Sequence, residues 1–329
     1  MQRFYKTPLT TILFLAFLSI FLSDGIADAK TPIKISVLKF GTVNWTLQTI
    51  KEARLDHKKG FELIIQPLAN SQAGKIALQA HAADIIVSDW TWVARQRGLS
   101  THYLFAPYSS SAGSLMVPNQ SPIRSIKDLA NKRLGIAGGG LDKNWLLLRA
   151  LALQENINLQ TNIDKVFGAP PLLNNLIKRG QLDALVNYWH YSARLKAEGY
   201  REIINTHEII RRLGINKTVP IIGYVFKEQW AVKNVKKLNN FLSASTDAAN
   251  LLCSSNQHWN AILPLTRTND KQTQQLLRNH YCKGRITTFA DEEKQAIANI
   301  YSILAVTGGE QLVGSVKQLD PQIFWDNHP

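Results

Sequence analysis

Polar and apolar positions along the chain follow two alternating rhythms. Short runs that alternate with a period of two, or are wholly apolar, predict strands over 33–38 (IKISVL), 61–67, 85–87, 134–137 and 184–186. Between them, apolar residues recur every three or four positions and predict helices over about 44–57, 71–81 and 142–155. Ser125 with Asp128 is a capping box for a helix running to about Arg133. Pro170-Pro171 opens another helix that Gly180 closes, and a last one in this stretch ends at Gly199. Strands alternating with helices of this length predict an α/β fold, a parallel sheet with helices on both faces.

One pattern occurs twice. Residues 83–90 read ADIIVSDW and residues 182–189 read LDALVNYW, at a constant offset of 99. Asp84 matches Asp183, Val87 matches Val186, Ser88 matches Asn187 and Trp90 matches Trp189. Each copy follows an amphipathic helix, so the chain reads as two similar α/β halves. In open parallel sheets ligands bind beyond the carboxyl ends of the strands. Two such ends facing each other would make a cleft.

Composition narrows the class. Hydrophobic residues at 45% and aromatics at 9% describe a globular chain rather than a disordered or fibrous one. A length of 329 residues exceeds one core of usual size and favours two lobes. Arg3 and Lys6, the apolar run ILFLAFLSIFL over 12–22 and the small-residue pattern Ala27-Asp28-Ala29 predict a signal peptide over 1–29. No later stretch is long enough in apolar residues to span a bilayer, so the processed chain is expected outside the membrane core. The formal charge of +14 survives removal of that segment, because it carries two bases and two acids. The charge spreads evenly, +7 over residues 116–220 and +7 over the rest, without the basic stripe a nucleic-acid binder shows. It fits steering of an anionic solute or accommodation to a basic exterior. Cys253 and Cys282 can pair in an oxidising compartment or stay as two buried thiols.

Catalytic signatures are missing. The sequence has no G-x-S-x-G elbow and no P-loop, and His207-Glu208-Ile209-Ile210-Arg211 fails H-E-x-x-H at its last position. The eight histidines are scattered without ligand spacing. A non-enzyme without cofactor or metal is expected.

The signal segment, the opening strand IKISVLKFG, and the phrases ADIIVSDW, IRSIKDLANKRLGIAGGG and LIKRGQLDALVNYWHYSARLKAEGY together resemble periplasmic substrate-binding proteins of ABC transporters. The branch they resemble is the nitrate/sulfonate/taurine type, which includes thiamine-precursor binders. Two departures stand out: His81-Ala82, where the family commonly carries a Gly-containing turn, and the number of tryptophans at the predicted cleft edges. The resemblance implies a type II two-lobed fold with two crossover strands, lobe 1 over 30–114 and 221–329 and lobe 2 over 115–220. It further implies a monomer in the periplasm that closes on a small-molecule ligand and delivers it to an ABC permease with its ATPase. A periplasmic sensor or accessory binder of the same fold, acting without a transporter, is the alternative.

The candidate ligand-binding residues cluster at the predicted strand ends. Gly139 and Gly140, with Gly138 before them, can offer backbone N–H groups to an anion or form a plain strand–helix turn. Asn144 lies one turn on. Trp45, Trp90 and Trp189 suit a flat ring, an alkylammonium or an apolar tail, or serve as core filler. Ser88 and Asp89 can bond a ligand or cap the helix that follows, and Asn187 and Tyr188 occupy the matching place.

Overall fold

The computed structural model describes residues 1–2 and 32–326. The expected signal peptide lies outside the described residues. From Pro32 the chain forms ten strands: β1 (Pro32–Leu38), β2 (Glu62–Leu68), β3 (Ile85–Ser88), β4 (Tyr103–Ser109), β5 (Ser114–Val117), β6 (Arg133–Ala137), β7 (Asp164–Gly168), β8 (Ala184–Asn187), β9 (Arg201–Asn205) and β10 (Ile222–Lys227). They build two five-stranded mixed sheets, ordered β2-β1-β3-β10-β4 and β7-β6-β8-β5-β9. In the first, β1 runs parallel to β2 and β3, while β10 is antiparallel to β3 and β4. The second repeats this: β6 is parallel to β7 and β8, and β5 is antiparallel to β8 and β9. In each sheet the antiparallel strand is the first one formed after the chain crosses over from the other sheet. Two short connections, 110–113 and 213–221, carry those crossings.

The 99-residue repeat is exact in strand register. Ile35 pairs with Ile85 as Leu134 pairs with Ala184. Asp84 accepts the Lys34 N–H at 2.8 Å, and Asp183 accepts the Arg133 N–H at 2.7 Å. His81 and Gly180 hold the same place before β3 and β8, and both are left-handed, at φ 59° and 69°. The histidine therefore makes the turn that glycine makes in the second half, at a steric cost glycine avoids.

Elements differ from expectation where distant residues intervene. The helix expected over 44–57 is two, Val43–Glu52 and Leu55–Lys58, broken at left-handed Arg54. The fully buried Asp56 explains the break: its carboxylate takes the Lys51 ammonium at 2.8 Å and the N–H groups of His57 and Leu63. The Ser125–Asp128 capping box is present but opens only a 3₁₀ turn, Ile126–Leu129, because Arg133 already begins β6.

The core is continuous across the two sheets. One apolar cluster takes Leu78, Ile86 and Phe105 from the first side and Leu134, Ile136 and Val186 from the second. Ile297, Ile300 and Leu304 of helix Asp291–Val313 join them. A separate aromatic cluster joins Trp45, Trp259 and Tyr281 to Trp189, which arrives from the second half. Cys253 and Cys282 are joined by a disulfide beside that cluster.

Candidate functional site

The carboxyl ends of β1, β3 and β8 and the start of the helix that follows β6 converge on a cavity of about 290 Å³. Ser36, Thr42, Lys75, Ser88 and Asp89 line it from the first half, and Asp142, Lys143, Asn144, Tyr188, Trp189 and His190 from the second. Ser111 to Gly113 and Ile221 from the two crossings, with Ile222 at the start of β10, complete its lining. A larger cavity of about 460 Å³ shares Thr42 and Trp189 but otherwise belongs to the first half. Its tyrosine hydroxyls are already matched: Tyr108 and Tyr281 to Thr46, and Tyr224 to Ser245. The smaller cavity is the one that both halves build.

Asp89 is one of its charged lining residues. The side chain caps helix Trp90–Arg97 by accepting the Trp92 N–H at 3.1 Å and the Thr91 hydroxyl. Its other oxygen meets the Lys143 ammonium at 2.8 Å, with the two side chains only 19% and 17% exposed. Asp89 belongs to the first half and Lys143 to the second, so this ion pair spans the cleft. Burial alone would raise the Asp89 carboxyl, but Lys143, Thr91 and Lys75 outweigh it and pull the group down to about 2.

Asp142 caps helix Lys143–Gln154, accepting the N–H groups of Asn144 and Trp145 and the Asn144 amide. The Tyr188 hydroxyl donates to it as well. Burial raises the Asp142 carboxyl, against Lys143 and the donors of Asn144 and Trp145. Burial, with Asp142 adding, raises the Tyr188 phenol. Gly138 makes this pairing possible: a Cβ there would stand 2.5 Å from the Tyr188 oxygen and 2.8 Å from Asp142. His190 is held neutral, pushed down to about 3 by burial and by Arg194, and its Nδ1 is buried with no hydrogen-bond partner among the described residues.

Of the residues expected from sequence, Ser88, Asp89, Asn144, Tyr188 and Trp189 line the cavity. Asn144 is spent on structure, its oxygen accepting from Gly113 N–H and Thr206 hydroxyl at 2.8 Å each. The others do not reach it. Trp90 is 0% exposed, packs near Tyr301 and gives its indole N–H to the Pro220 carbonyl at 2.7 Å. Trp45 lies edge-on behind Trp189, centroids 6.0 Å apart. Asn187, also 0% exposed, donates to Asn174 and the Pro170 carbonyl and accepts from Tyr188 N–H. Gly139 and Gly140 stand off the cavity wall, where Gly139 has open space around it and Gly140 faces Phe167.

Sequence reasoning missed Lys75, Asp142, Lys143 and His190. Lys143 carried a readable signal: a cation in the first turn of a helix opposes the helix dipole and asks for a compensating anion. Lys75, on the amphipathic helix Ser71–Gln79, looks like any solvated lysine. Among the described residues no group of His, Cys, Asp and Glu is arranged to hold a metal ion, and no helix is long and apolar enough to cross a membrane.

Comparison with known proteins places this geometry in context. A family model described as NMT1/THI5 like matches residues 57–257. No curated protein matches the sequence. Among solved structures, the periplasmic aliphatic sulphonate binding protein SsuA from Escherichia coli aligns with a TM-score of 0.73 at 16% identity, over 90% of this chain and 92% of that one. The alkanesulfonate-binding protein SsuA from Xanthomonas axonopodis pv. citri, bound to MOPS, aligns at 0.68 and 14% identity, over 89% and 98%. The periplasmic nitrate-binding protein NrtA from Synechocystis PCC 6803 aligns at 0.60 and 10%, over 85% and 82%. At these identities the shared property is the two-lobed fold.

Proposed function

Because this chain belongs to the NMT1/THI5-like family, we propose that it is a periplasmic solute-binding protein that captures a small organic or anionic solute and delivers it to the permease of an ABC importer. The observation that carries this reading is the cavity of about 290 Å³ walled by strand ends of both sheets, with charged side chains on each wall. Two lobes, 30–114 with 221–329 and 115–220, would rotate about the two crossings. The crossover residues Ser111 to Gly113 and Ile221, with Ile222 at the start of β10, also line the cavity, so a bound solute would touch both lobes and the hinge at once. A ligand that contacts both lobes only when they are closed favours the closed form, and that form is what a permease would read. Residues 1–29 would direct export and be removed.

A thermal-shift screen of the processed chain against sulfonates, nitrate, amines and thiamine precursors tests the reading. A solute at about 100 times its Kd should stabilise the protein by about 2.7 kcal/mol. Small-angle scattering should then show compaction. A screen in which nothing shifts the midpoint, with scattering unchanged throughout, would sink it.

A further inference from the structure

Of the charged side chains lining the cleft, Lys75 is the one left without a hydrogen-bonding partner among the described residues. Asp89 is taken by Lys143, Thr91 and Trp92, and Asp142 by Asn144, Trp145 and Tyr188. Lys143 spends its charge on Asp89. The Lys75 ammonium rests over the face of Trp92, 5.3 Å from the ring centroid. Burial depresses its protonation, Asp89 attracts it from a distance, and Lys143 and Arg95 repel it. Water can serve its N–H groups while the cleft is hydrated. A solute that expels that water must bring an acceptor, or the ammonium is stranded at the cost of a buried, unmatched charge.

We propose that Lys75 is the specificity-determining cation of this cleft and selects a solute bearing a single negative charge. Asp89 enforces the limit of one by keeping Lys143 engaged across the cleft. The apolar part of the lining, Val37, Leu68 and Val87 among it, suits a compact apolar body attached to that charge. This inference rests on the solute-binding reading above.

Calorimetric titration with four probes of matched length tests it: 1-butanesulfonate as monoanion, butyl phosphate at pH 8 as dianion, butylammonium as cation and butanol as neutral. The unaltered protein should bind the monoanion best. Lys75→Met should weaken that binding about 30-fold, the range for a lost charge-assisted hydrogen bond, and Lys75→Arg should restore most of it. Because Lys75 is half-buried and unbonded, both variants should fold. Asp89→Asn, which releases Lys143, should move the preference toward the dianion. Unchanged monoanion affinity in Lys75→Met, or a preference of the unaltered protein for the cation or the neutral probe, overturns the Lys75 assignment and leaves solute capture standing. Failure of all four probes and of the wider solute screen overturns both.

Discussion

The two copies of the repeated segment share a backbone and part company at their last three side chains. Through Asp84 and Asp183 they are superposable in bonding: each aspartate accepts from the N–H of the first parallel strand and returns its own N–H to the same residue's carbonyl at 2.9 Å. Beyond that point Ser88-Asp89-Trp90 faces Asn187-Tyr188-Trp189. In the first copy the polar residue reaches the cleft and the tryptophan turns inward, toward Pro220 and Tyr301. In the second the asparagine is buried in a local network, while the tyrosine and tryptophan form the wall. Equivalent positions thus inherit the same main chain but not the same exposure. What decides is the neighbour placed behind each side chain, which for Trp90 is a crossing of the chain and for Trp189 an aromatic socket from the opposite half.

That contrast can be broken most severely at the tryptophans. Trp90→Ala should cost about 4 kcal/mol of stability, the usual range for emptying a fully buried indole site. Urea unfolding measures it, and a loss under about 1 kcal/mol would mean the first copy does not use its tryptophan as core.

Acid titration comes next, because the aspartate at 89 has a tyrosine as its counterpart. Lowering a carboxyl from 3.8 to about 2 is linked to roughly 2 kcal/mol of stability. The folded-state value is the lower one, so this stabilisation is complete above the unfolded value near 3.8 and is lost as pH falls through about 2. Asp89→Asn should remove that component of the pH dependence. An acid unfolding profile identical to that of the unaltered protein would contradict the ion pair across the cleft.

A smaller split is expected one residue earlier. Asn187→Ala strands the Asn174 side-chain oxygen, the Pro170 carbonyl and the Tyr188 N–H and should cost about 2 kcal/mol, whereas Ser88→Ala, removing a hydroxyl with no bond among the described residues, should change stability by less than about 0.5 kcal/mol. Equal losses at the two sites would erase the difference between the copies.

The least effect, and one of opposite sign in the two halves, belongs to the turns. Gly180→Ala should destabilise by about 1 kcal/mol, while His81→Gly should stabilise by up to about 1 kcal/mol, since both positions are left-handed. The gain at 81 is reduced by loss of the exposed His81–Lys227 contact at 2.8 Å. Thermal midpoints of the two variants should move in opposite directions.

Local patterning was enough to read the parallel strands β1, β2, β3, β6 and β8, most of the helices between them and the 99-residue repeat, because each depends on periodicity and on turn residues close in sequence. The same reading placed Ser88, Asp89, Asn144, Tyr188 and Trp189 at strand ends, and these do line the cavity. It did not supply β4, β7 or β9, and it could not supply β5 and β10. Each is inserted antiparallel into a sheet whose other members are far away along the chain, and nothing nearby announces such pairing. Nor could it pair Asp89 with Lys143, which stand on different sheets and meet only when the halves face one another. For Gly138 the sequence leaves open an anion-holding turn or a plain strand–helix turn, whereas in the structure it leaves room for Tyr188 and Asp142, a requirement set by a side chain 50 residues on. Sequence by itself determined the two α/β halves and the edge at which a ligand would sit. Tertiary structure alone decided which side chains keep their polarity free there, because burial and pairing depend on what the opposite half brings into contact.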